Sequence, residues 1–264
     1  MPKFTAKDVQ ALRQATGAGM MDSKRALEES DGDVEAAKRW LREQGLAGAA
    51  KRSEREATQG AVSVAVGDLA AAIVELRCET DFVAKADSFV ALADELAQLV
   101  AAKGEGAVEE RAGAVDELKT TLKENISVGR VVHFPLEPGV VVGTYQHNQA
   151  GRGVNAVVVL MRNGSEELAH DVAVHIAFAR PGCVRREEVP DAEVAAERET
   201  VERISRNEGK PEAALPKIVE GRMNGWFKER VLLEQAYAKD EKRTVADVIG
   251  AAQIERFAQV EVGG

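Results

Sequence analysis

Two stretches of this chain share one order of apolar and polar residues: a strand-like run, a turn, a second strand-like run and then a helix-like run. The first stretch covers residues 61–102 and the second covers residues 140–179, with a polar turn predicted over residues 146–153. A further helix is predicted over residues 108–124. A hairpin followed by a helix places an antiparallel sheet against that helix. The pattern therefore predicts the α+β class, and its recurrence indicates a structural duplication.

The first 45 residues are predicted to form three short helices, because apolar residues recur at helical spacing between turn signals. Thr5 and Asp8 resemble a capping box, and Asp33 is a candidate N-cap for the third helix. Gly45 is predicted to end that helix. Residues 46–60 are rich in Ala, Gly and charged residues, so we expect a linker there, and a partly helical linker stays open.

Two further helices are predicted between residues 187 and 230, with Pro190 at the start and a turn at residues 208–211. They form an αα-hairpin whose apolar seam is interrupted by Glu197, so we expect it to need docking or pairing for stability. The alternating run at residues 256–262 is predicted to be a strand that joins the sheet of the second unit.

The charge balance limits the classes of partner. The chain has 44 acidic and 35 basic residues and a net charge of −9, and a chain of this sign repels the phosphate backbone of nucleic acids. A local basic patch around Lys51, Arg52 and Arg55 is an exception that the sequence leaves open. No signal segment and no run of ~18 apolar residues is found, so we expect a cytoplasmic protein that does not enter membranes. Cys78 and Cys183 are then expected to be reduced thiols, although one disulfide stays open.

The motifs of several common active sites are missing from the sequence. There is no Gly-x-x-x-x-Gly-Lys-Ser/Thr loop for phosphate, no His-Glu-x-x-His pair and no nucleophile elbow. The four histidines and two cysteines do not form a zinc-binding pattern. We therefore expect no cofactor and no bound metal.

The most unusual local sequence is Cys-Glu-Thr-Asp-Phe-Val-Ala-Lys at residues 78–85. It follows the apolar run 70–76 and precedes a helix-like run, so it is predicted to be a corner between strand and helix. Asp81 beside Phe82 at such a corner is unfavourable for simple packing, which indicates a function. Alternatively, Glu79 and Asp81 form a carboxylate pair for acid–base chemistry or cation binding, or a solvated acidic turn.

Four segments of the chain form a set. The first is the stretch 12–27, which contains Thr-Gly-Ala-Gly-Met-Met-Asp-Ser-Lys, and the second is the corner at 78–85. The third is Tyr-Gln-His at 145–147 followed by Gly153, and the fourth is Gly-Lys-Pro at 209–211 followed by Lys-Ile-Val-Glu-Gly-Arg-Met. Together, in this order and over nearly the whole chain, they resemble bacterial elongation factor Ts, the guanine-nucleotide exchange factor of elongation factor Tu.

The resemblance implies an architecture. Residues 1–55 resemble a ubiquitin-associated-like three-helix domain with its linker. Residues 56–139 resemble core subdomain N of the family, and residues 140–186 with 231–264 resemble core subdomain C. Residues 187–230 resemble the inserted coiled-coil hairpin, through which some members form homodimers. Because the chain ends soon after its last predicted strand, we expect it to lack the additional C-terminal module of some members.

The resemblance also implies a function without covalent chemistry, and therefore not an enzyme. Thr80, Asp81, Phe82 and Val83 match the family's corner, which inserts beside the Mg²⁺ and phosphate site of elongation factor Tu so that GDP leaves and GTP can bind. Further contacts with this partner are expected at five positions: Leu12, Met20, Met21, Ile126 and His147. The two methionines serve equally well as core residues of the small domain, and the histidine equally well as a polar turn residue.

Two other hypotheses stay open. The N-terminal helices could recognise a different partner, with the rest of the chain as a scaffold. Alternatively, the corner could belong to an enzyme that uses Glu79 and Asp81. The sequence also leaves the oligomeric state open, because the hairpin could pair with a second copy, dock on its own core or project freely.

Overall fold

The computed structural model describes residues 4–264, with the exception of the side chains of residues 46–51. Helices and antiparallel sheets both contribute to the fold, so the predicted α+β class is confirmed. The chain divides into two compact units. The first contains the chain up to Phe134 together with Asn148–Val154 and Val260–Gly264, and the second contains Pro135–His147 and Asn155–Gln259.

Three helices begin the first unit: α1 Ala6–Thr16, α2 Met20–Glu29 and α3 Val34–Arg52. Thr5 caps α1 in a capping box with Asp8, and Asp33 caps α3 by accepting a hydrogen bond from the Ala36 amide at 2.9 Å. The three predicted helices and both caps are therefore confirmed. The buried side chains that these helices share are Val9, Leu12, Ala26, Leu27 and Ala37.

Helix α3 does not end at Gly45, as the sequence predicts, but continues to Arg52. Glycine inside a helix costs only about 1 kcal/mol relative to alanine, so the surrounding helix-forming residues carry the helix through it. Gly45 also serves the packing, because a Cβ atom at this position would lie 2.2 Å from Cγ2 of Thr120. The glycine lets α3 approach Thr120 closely, and the first part of the predicted linker is helical.

The first sheet has the strand order β1-β2-β3, formed by β1 Gln59–Val66, β2 Ala70–Cys78 and β3 Ser127–Pro135. β1 and β2 form the predicted antiparallel hairpin, with Gln59 opposite Cys78. The sequence does not predict β3. Its sequence, Ser-Val-Gly-Arg-Val-Val-His-Phe-Pro, does not alternate strictly between apolar and polar residues, and most of these residues are only half-buried.

Three helices lie between β2 and β3: the single-turn α4 Asp81–Ala84, α5 Asp87–Lys103 and α6 Ala112–Leu122. α5 agrees with its prediction. The helix predicted over residues 108–124 is shorter than expected, because Glu105–Arg111 forms a 3-10 helix around Gly106, a poor α-helix former. The core between this sheet and its helices includes four large, fully buried side chains: Leu76, Phe89, Leu96 and Ile126.

The second sheet has the order β4-β5-β8, formed by β4 Val140–Gln149, β5 Arg152–Arg162 and β8 Gln253–Glu261. The last strand thus joins the second sheet, as predicted. Helix α7, Glu166–Ala179, begins after Ser165, whose hydroxyl accepts a hydrogen bond from the Leu168 amide at 3.1 Å. The sheet and α7 share one apolar core, which includes Val157, Val159, Val172 and Ile176.

The polar turn predicted over residues 146–153 is wrong in its extent. Strands β4 and β5 continue through most of this stretch, and the turn consists of Ala150 and Gly151, with φ values of +52° and +83°. A two-residue turn with both φ values positive follows the right-handed twist of the paired strands. The polar residues before the turn can lie in a strand because an antiparallel sheet tolerates solvent on one face.

Helices α8 Asp191–Asn207 and α9 Leu215–Arg230 pack against each other, with Val201, Val219 and Met223 buried between them. The chain then forms the short β6 Ala236–Tyr237, β7 Asp240–Thr244 and α10 Val245–Ile249 before β8. Within the part of the chain that the structure describes, no helix has the length and apolar character needed to cross a membrane.

Candidate functional site

The corner predicted at residues 78–85 joins the end of β2 to the single-turn helix α4. Thr80 is the N-cap of this turn. Its backbone is extended, with φ −119° and ψ 154°, and its hydroxyl accepts a hydrogen bond from the Val83 amide at 3.4 Å. Cys78 is fully buried beneath the corner and donates its thiol to the Thr80 carbonyl at 3.2 Å. The change from strand to helix is therefore made within a few hydrogen-bonded residues.

Phe82 is the most exposed of the large apolar side chains that the structure describes, with 82% of its surface accessible. Val83, the next residue, is only 9% exposed and belongs to the core of the first unit. Successive residues of a helix point about 100° apart, which is why one apolar residue anchors the turn while its neighbour faces solvent. Of the four predicted site residues, Val83 therefore acts chiefly as the anchor.

Glu124 holds the corner from a segment 44 residues further along the chain. Its Oε2 accepts hydrogen bonds from the backbone amides of Glu79 and Thr80, both at 3.0 Å. Its Oε1 accepts a hydrogen bond from the Thr80 hydroxyl at 2.5 Å. The carboxylate thus provides the acceptor for the two backbone amides that follow the end of β2, and it also orients the hydroxyl of the N-cap residue Thr80.

The two acidic residues of the corner have separate partners. Glu79 accepts a hydrogen bond from the Asn125 amide at 2.7 Å, and its other oxygen lies 3.4 Å from a guanidinium nitrogen of Arg55. Asp81 pairs instead with Lys85, one turn further along the chain. Hydrogen bonding from Lys85 lowers the pKa of Asp81, and the charges of Lys85 and Arg152 act in the same direction. Asp81 is therefore ionised near neutral pH, and each acid is engaged separately.

The thiol beneath the corner is not a reactive nucleophile. Burial raises the pKa of the Cys78 thiol to about 12, so the thiol stays protonated and unreactive near neutral pH. Cys78 and Cys183 are both free, as predicted. Among the described residues, no group of three or more His, Cys, Asp or Glu side chains could hold a metal ion.

The further predicted contact residues differ in their accessibility. Met20 and Met21, at the start of α2, are 48% and 72% exposed, so they are not core residues of the small domain. Leu12 is buried in the core of the N-terminal helices, with 1% of its surface exposed. Ile126 is buried in the core beneath the first sheet, with 0% of its surface exposed. In this conformation neither side chain offers a face for direct contact.

His147 lies in strand β4 and not in a turn, which corrects the prediction for its local structure. Its side chain is exposed. The Nδ1 atom lies 3.3 Å from the Tyr145 hydroxyl, and the two rings are stacked with centroids 6.4 Å apart. The two aromatic rings thus form a small polar surface on the second unit.

The residues that sequence reasoning missed are Glu124 and its neighbours. Lys123 ends α6 in the left-handed conformation and donates to Asp22 at 2.5 Å, and Asn125 donates from its side chain to the Arg55 carbonyl at 2.7 Å. No local pattern could have identified these residues, because each contact joins segments at least 44 positions apart. One short segment thus connects α2, the residues after α3 and the corner.

Comparison with known proteins finds one family over the whole chain. The family described as Elongation factor TS matches residues 79–264. The chain is 47% identical to Elongation factor Ts of Clavibacter michiganensis subsp. michiganensis, 46% identical to that of Nocardioides sp. and 44% identical to that of Streptomyces griseus subsp. griseus. Each of these similarities covers 100% of both chains.

Proposed function

This chain belongs to the elongation factor Ts family, whose members act in translation elongation as nucleotide exchange factors, and we propose that it binds elongation factor Tu carrying GDP and promotes the release of that GDP. GTP can then bind to the emptied site. The observation that carries the proposal is the exposed ring of Phe82 on a corner whose backbone is otherwise firmly hydrogen-bonded.

The corner Thr80–Val83 is proposed to insert beside the Mg²⁺ and phosphate site of the partner. Burying the Phe82 ring in a pocket of the partner contributes roughly 1.5–3 kcal/mol. The carboxylate of Asp81 brings negative charge toward a site that depends on a bound cation. Displacement of Mg²⁺ removes the largest local positive charge that holds the diphosphate. No covalent step is needed, so the chain acts as an exchange factor and not as an enzyme.

Exchange of this kind is a coupling between two ligands of the same GTPase. If the factor weakens the binding of GDP, GDP must weaken the binding of the factor by the same ratio. A ~1,000-fold effect corresponds to about 4 kcal/mol. The insertion of one ring together with docking at a second surface is of the right size to provide this free energy.

The second surface is proposed to be the start of α2, where Met20 and Met21 are exposed. Methionine side chains adapt to the surface that they meet, which suits docking against a helix of the partner. His147 on the second unit is proposed as a further contact. Leu12 and Ile126 are proposed to shape these surfaces from within.

The division of the chain follows the family in this proposal. Residues 1–55 form the N-terminal domain and linker, residues 56–139 form subdomain N, residues 140–186 with 231–264 form subdomain C, and residues 187–230 form the hairpin. The hairpin is the proposed surface for a homodimer. Elongation takes place in the cytoplasm, where the factor would act without direct contact with nucleic acid or membrane.

The test is the rate at which labelled GDP leaves elongation factor Tu at several Mg²⁺ concentrations. The parent chain should accelerate release, and Phe82→Ala should reduce the acceleration by about 10-fold or more, from the free energy of ring burial. Leu69→Ala is the matched control, because Leu69 is 73% exposed and lies at the opposite end of β2. Both variants should keep the melting temperature of the parent, since exposed substitutions usually change stability by less than about 0.5 kcal/mol.

Equal release rates for Phe82→Ala and the parent would contradict insertion of the ring. A parent chain that binds elongation factor Tu without accelerating GDP release would contradict the exchange function altogether. That second result would favour a binding module that recognises the GTPase without acting on its nucleotide.

A further inference from the structure

We propose that Glu124 is a positioning residue for nucleotide exchange: its carboxylate holds the corner in the conformation that presents Phe82 to the partner. This inference rests on the proposed function and assigns a role to a residue outside the inserting corner. Glu124 lies between α6 and β3, and its hydrogen bonds reach the corner across the first unit.

The contacts of Glu124 form one continuous network that ends at the helical turn of Phe82. The Thr80 hydroxyl donates to Glu124 at 2.5 Å and accepts from the Val83 amide at 3.4 Å. The Glu79 and Thr80 amides donate to the other carboxylate oxygen, both at 3.0 Å. A displacement of Glu124 would therefore be transmitted to the first residue of α4 and to the backbone that carries the ring.

The corner needs such support because α4 is a single turn. A helix this short does not form on its own in water, since the nucleation of the first turn is unfavourable. The buried Val83 and Ala84 fix one side of the turn. The N-terminal side, where Phe82 emerges, is held by the N-cap and by the carboxylate that orients it.

Glu124 is itself fixed from both sides. The preceding residue, Lys123, donates to Asp22 at 2.5 Å. The following residue, Asn125, donates its backbone amide to Glu79 at 2.7 Å and its side chain to the Arg55 carbonyl at 2.7 Å. The support is thus rigid on the side away from the corner, which is what positioning of an exposed ring requires.

Three substitutions at position 124 distinguish the length of the Glu124 side chain from its negative charge. Glu124→Gln keeps the length, and its amide can still accept from both backbone amides and donate to the Thr80 hydroxyl. Glu124→Asp keeps the charge but is shorter by one methylene, about 1.5 Å, so it loses the contacts. Glu124→Ala removes both. The control is Ser165→Ala, which removes the N-cap hydroxyl of α7 in the second unit.

The measurement is stimulated GDP release from elongation factor Tu over a range of factor concentrations, with each variant at equal folded concentration. We expect the maximal release rate to fall by about tenfold for Glu124→Asp and Glu124→Ala, because a displacement of about 1 Å in a positioned group is enough for such a loss. The concentration for half-maximal stimulation should change less, because docking at α2 is retained. Glu124→Gln and Ser165→Ala should keep the maximal rate of the parent.

Amide hydrogen exchange of the free factor gives a second readout. Glu124→Ala and Glu124→Asp should expose the amides of Glu79 and Thr80 to faster exchange, and Glu124→Gln should protect them. The proposal is overturned if Glu124→Asp or Glu124→Ala exchanges GDP at the parental maximal rate, or if Glu124→Gln loses as much as Glu124→Ala. A parent factor without any stimulation contradicts the proposed function instead, so the two failures are distinguishable.

Discussion

Lys123 donates a hydrogen bond to Asp22 at 2.5 Å and thereby joins the end of α6 to the first turn of α2. Lys123 has a φ of +60°, which is unfavourable for a residue with a side chain. Near this pair, Arg52 donates to the Lys119 carbonyl at 3.1 Å, and a cleft of about 710 Å³ separates the helices. The N-terminal helices therefore dock on α6 through a few polar contacts and the close approach at Gly45.

Two substitutions of Lys123 should separate its ion pair from its backbone strain. Lys123→Ala and Lys123→Gly both lose the pair with Asp22, which is exposed and contributes at most about 1 kcal/mol. Only glycine relieves the left-handed conformation, which costs roughly 1–2 kcal/mol with a side chain. We expect Lys123→Gly to be the more stable by roughly 1 kcal/mol in urea unfolding. Equal stability of the two variants would show that the conformation at Lys123 carries no strain.

The glycines within two helices should respond to alanine in opposite directions. Gly221→Ala in α9 should stabilise the chain by up to about 1 kcal/mol through helix propensity, because its new Cβ would meet no described atom within 4 Å. Gly45→Ala in α3 should destabilise it, because the Cβ would lie 2.2 Å from Thr120. Thermal unfolding of both variants measures the difference. Stabilisation by Gly45→Ala would contradict the close packing of α3 on α6.

The double substitution of Met20 and Met21 by serine should weaken binding to elongation factor Tu without unfolding the small domain. Each methionine that is buried by a partner contributes roughly 1.5–3 kcal/mol, so we expect a loss of affinity of at least about tenfold. Val34→Ser is the control, since Val34 is 41% exposed at the start of α3. Isothermal titration gives the affinities. An unchanged dissociation constant for the double variant would exclude docking through the start of α2.

His175 should make stability depend on pH. It is 1% exposed, its Nδ1 accepts from the Ala238 amide at 3.2 Å, and its Nε2 therefore carries the proton that it donates to Gln235 at 3.0 Å. A second proton at Nδ1 would face another donor. Burial lowers the pKa of His175.

The sign of the effect follows from this lowered pKa. The unfolded chain, with a histidine pKa of about 6.5, binds a proton that the folded chain does not, so stability falls as pH drops below about 6.5 and is unaffected above it. The slope is at most about 1.4 kcal/mol per pH unit. Urea unfolding of the parent and of His175→Gln, compared with the exposed control His147→Gln, measures this slope. The same slope in parent and His175→Gln would rule out His175 as its source.

Much of the fold could be predicted from local patterns. Periodicity and capping chemistry within a few residues predict the strands of the hairpin β1–β2, helix α7, the caps at Thr5 and Asp33 and the last strand. The last strand also joins the second sheet, as expected. One misassigned part is a place where packing acts together with the residues around it against the expected helix end. Gly45 is typical of a helix end, yet α3 continues through it because the surrounding residues favour a helix, and Thr120 packs closely against this position, which has no side chain.

The amino-acid order by itself determined that Asp81 and Phe82 stand together at a corner between a strand and a helix, because those elements depend on neighbouring residues. Only the tertiary structure decided that Val83 anchors that corner, that the ring of Phe82 is exposed, and that Glu124 holds the turn. The hydrogen bonds of Glu124 join segments separated by 44 or more positions. Hydrogen bonds over such separations depend on how sheets and helices pack, and no local pattern in the sequence records them.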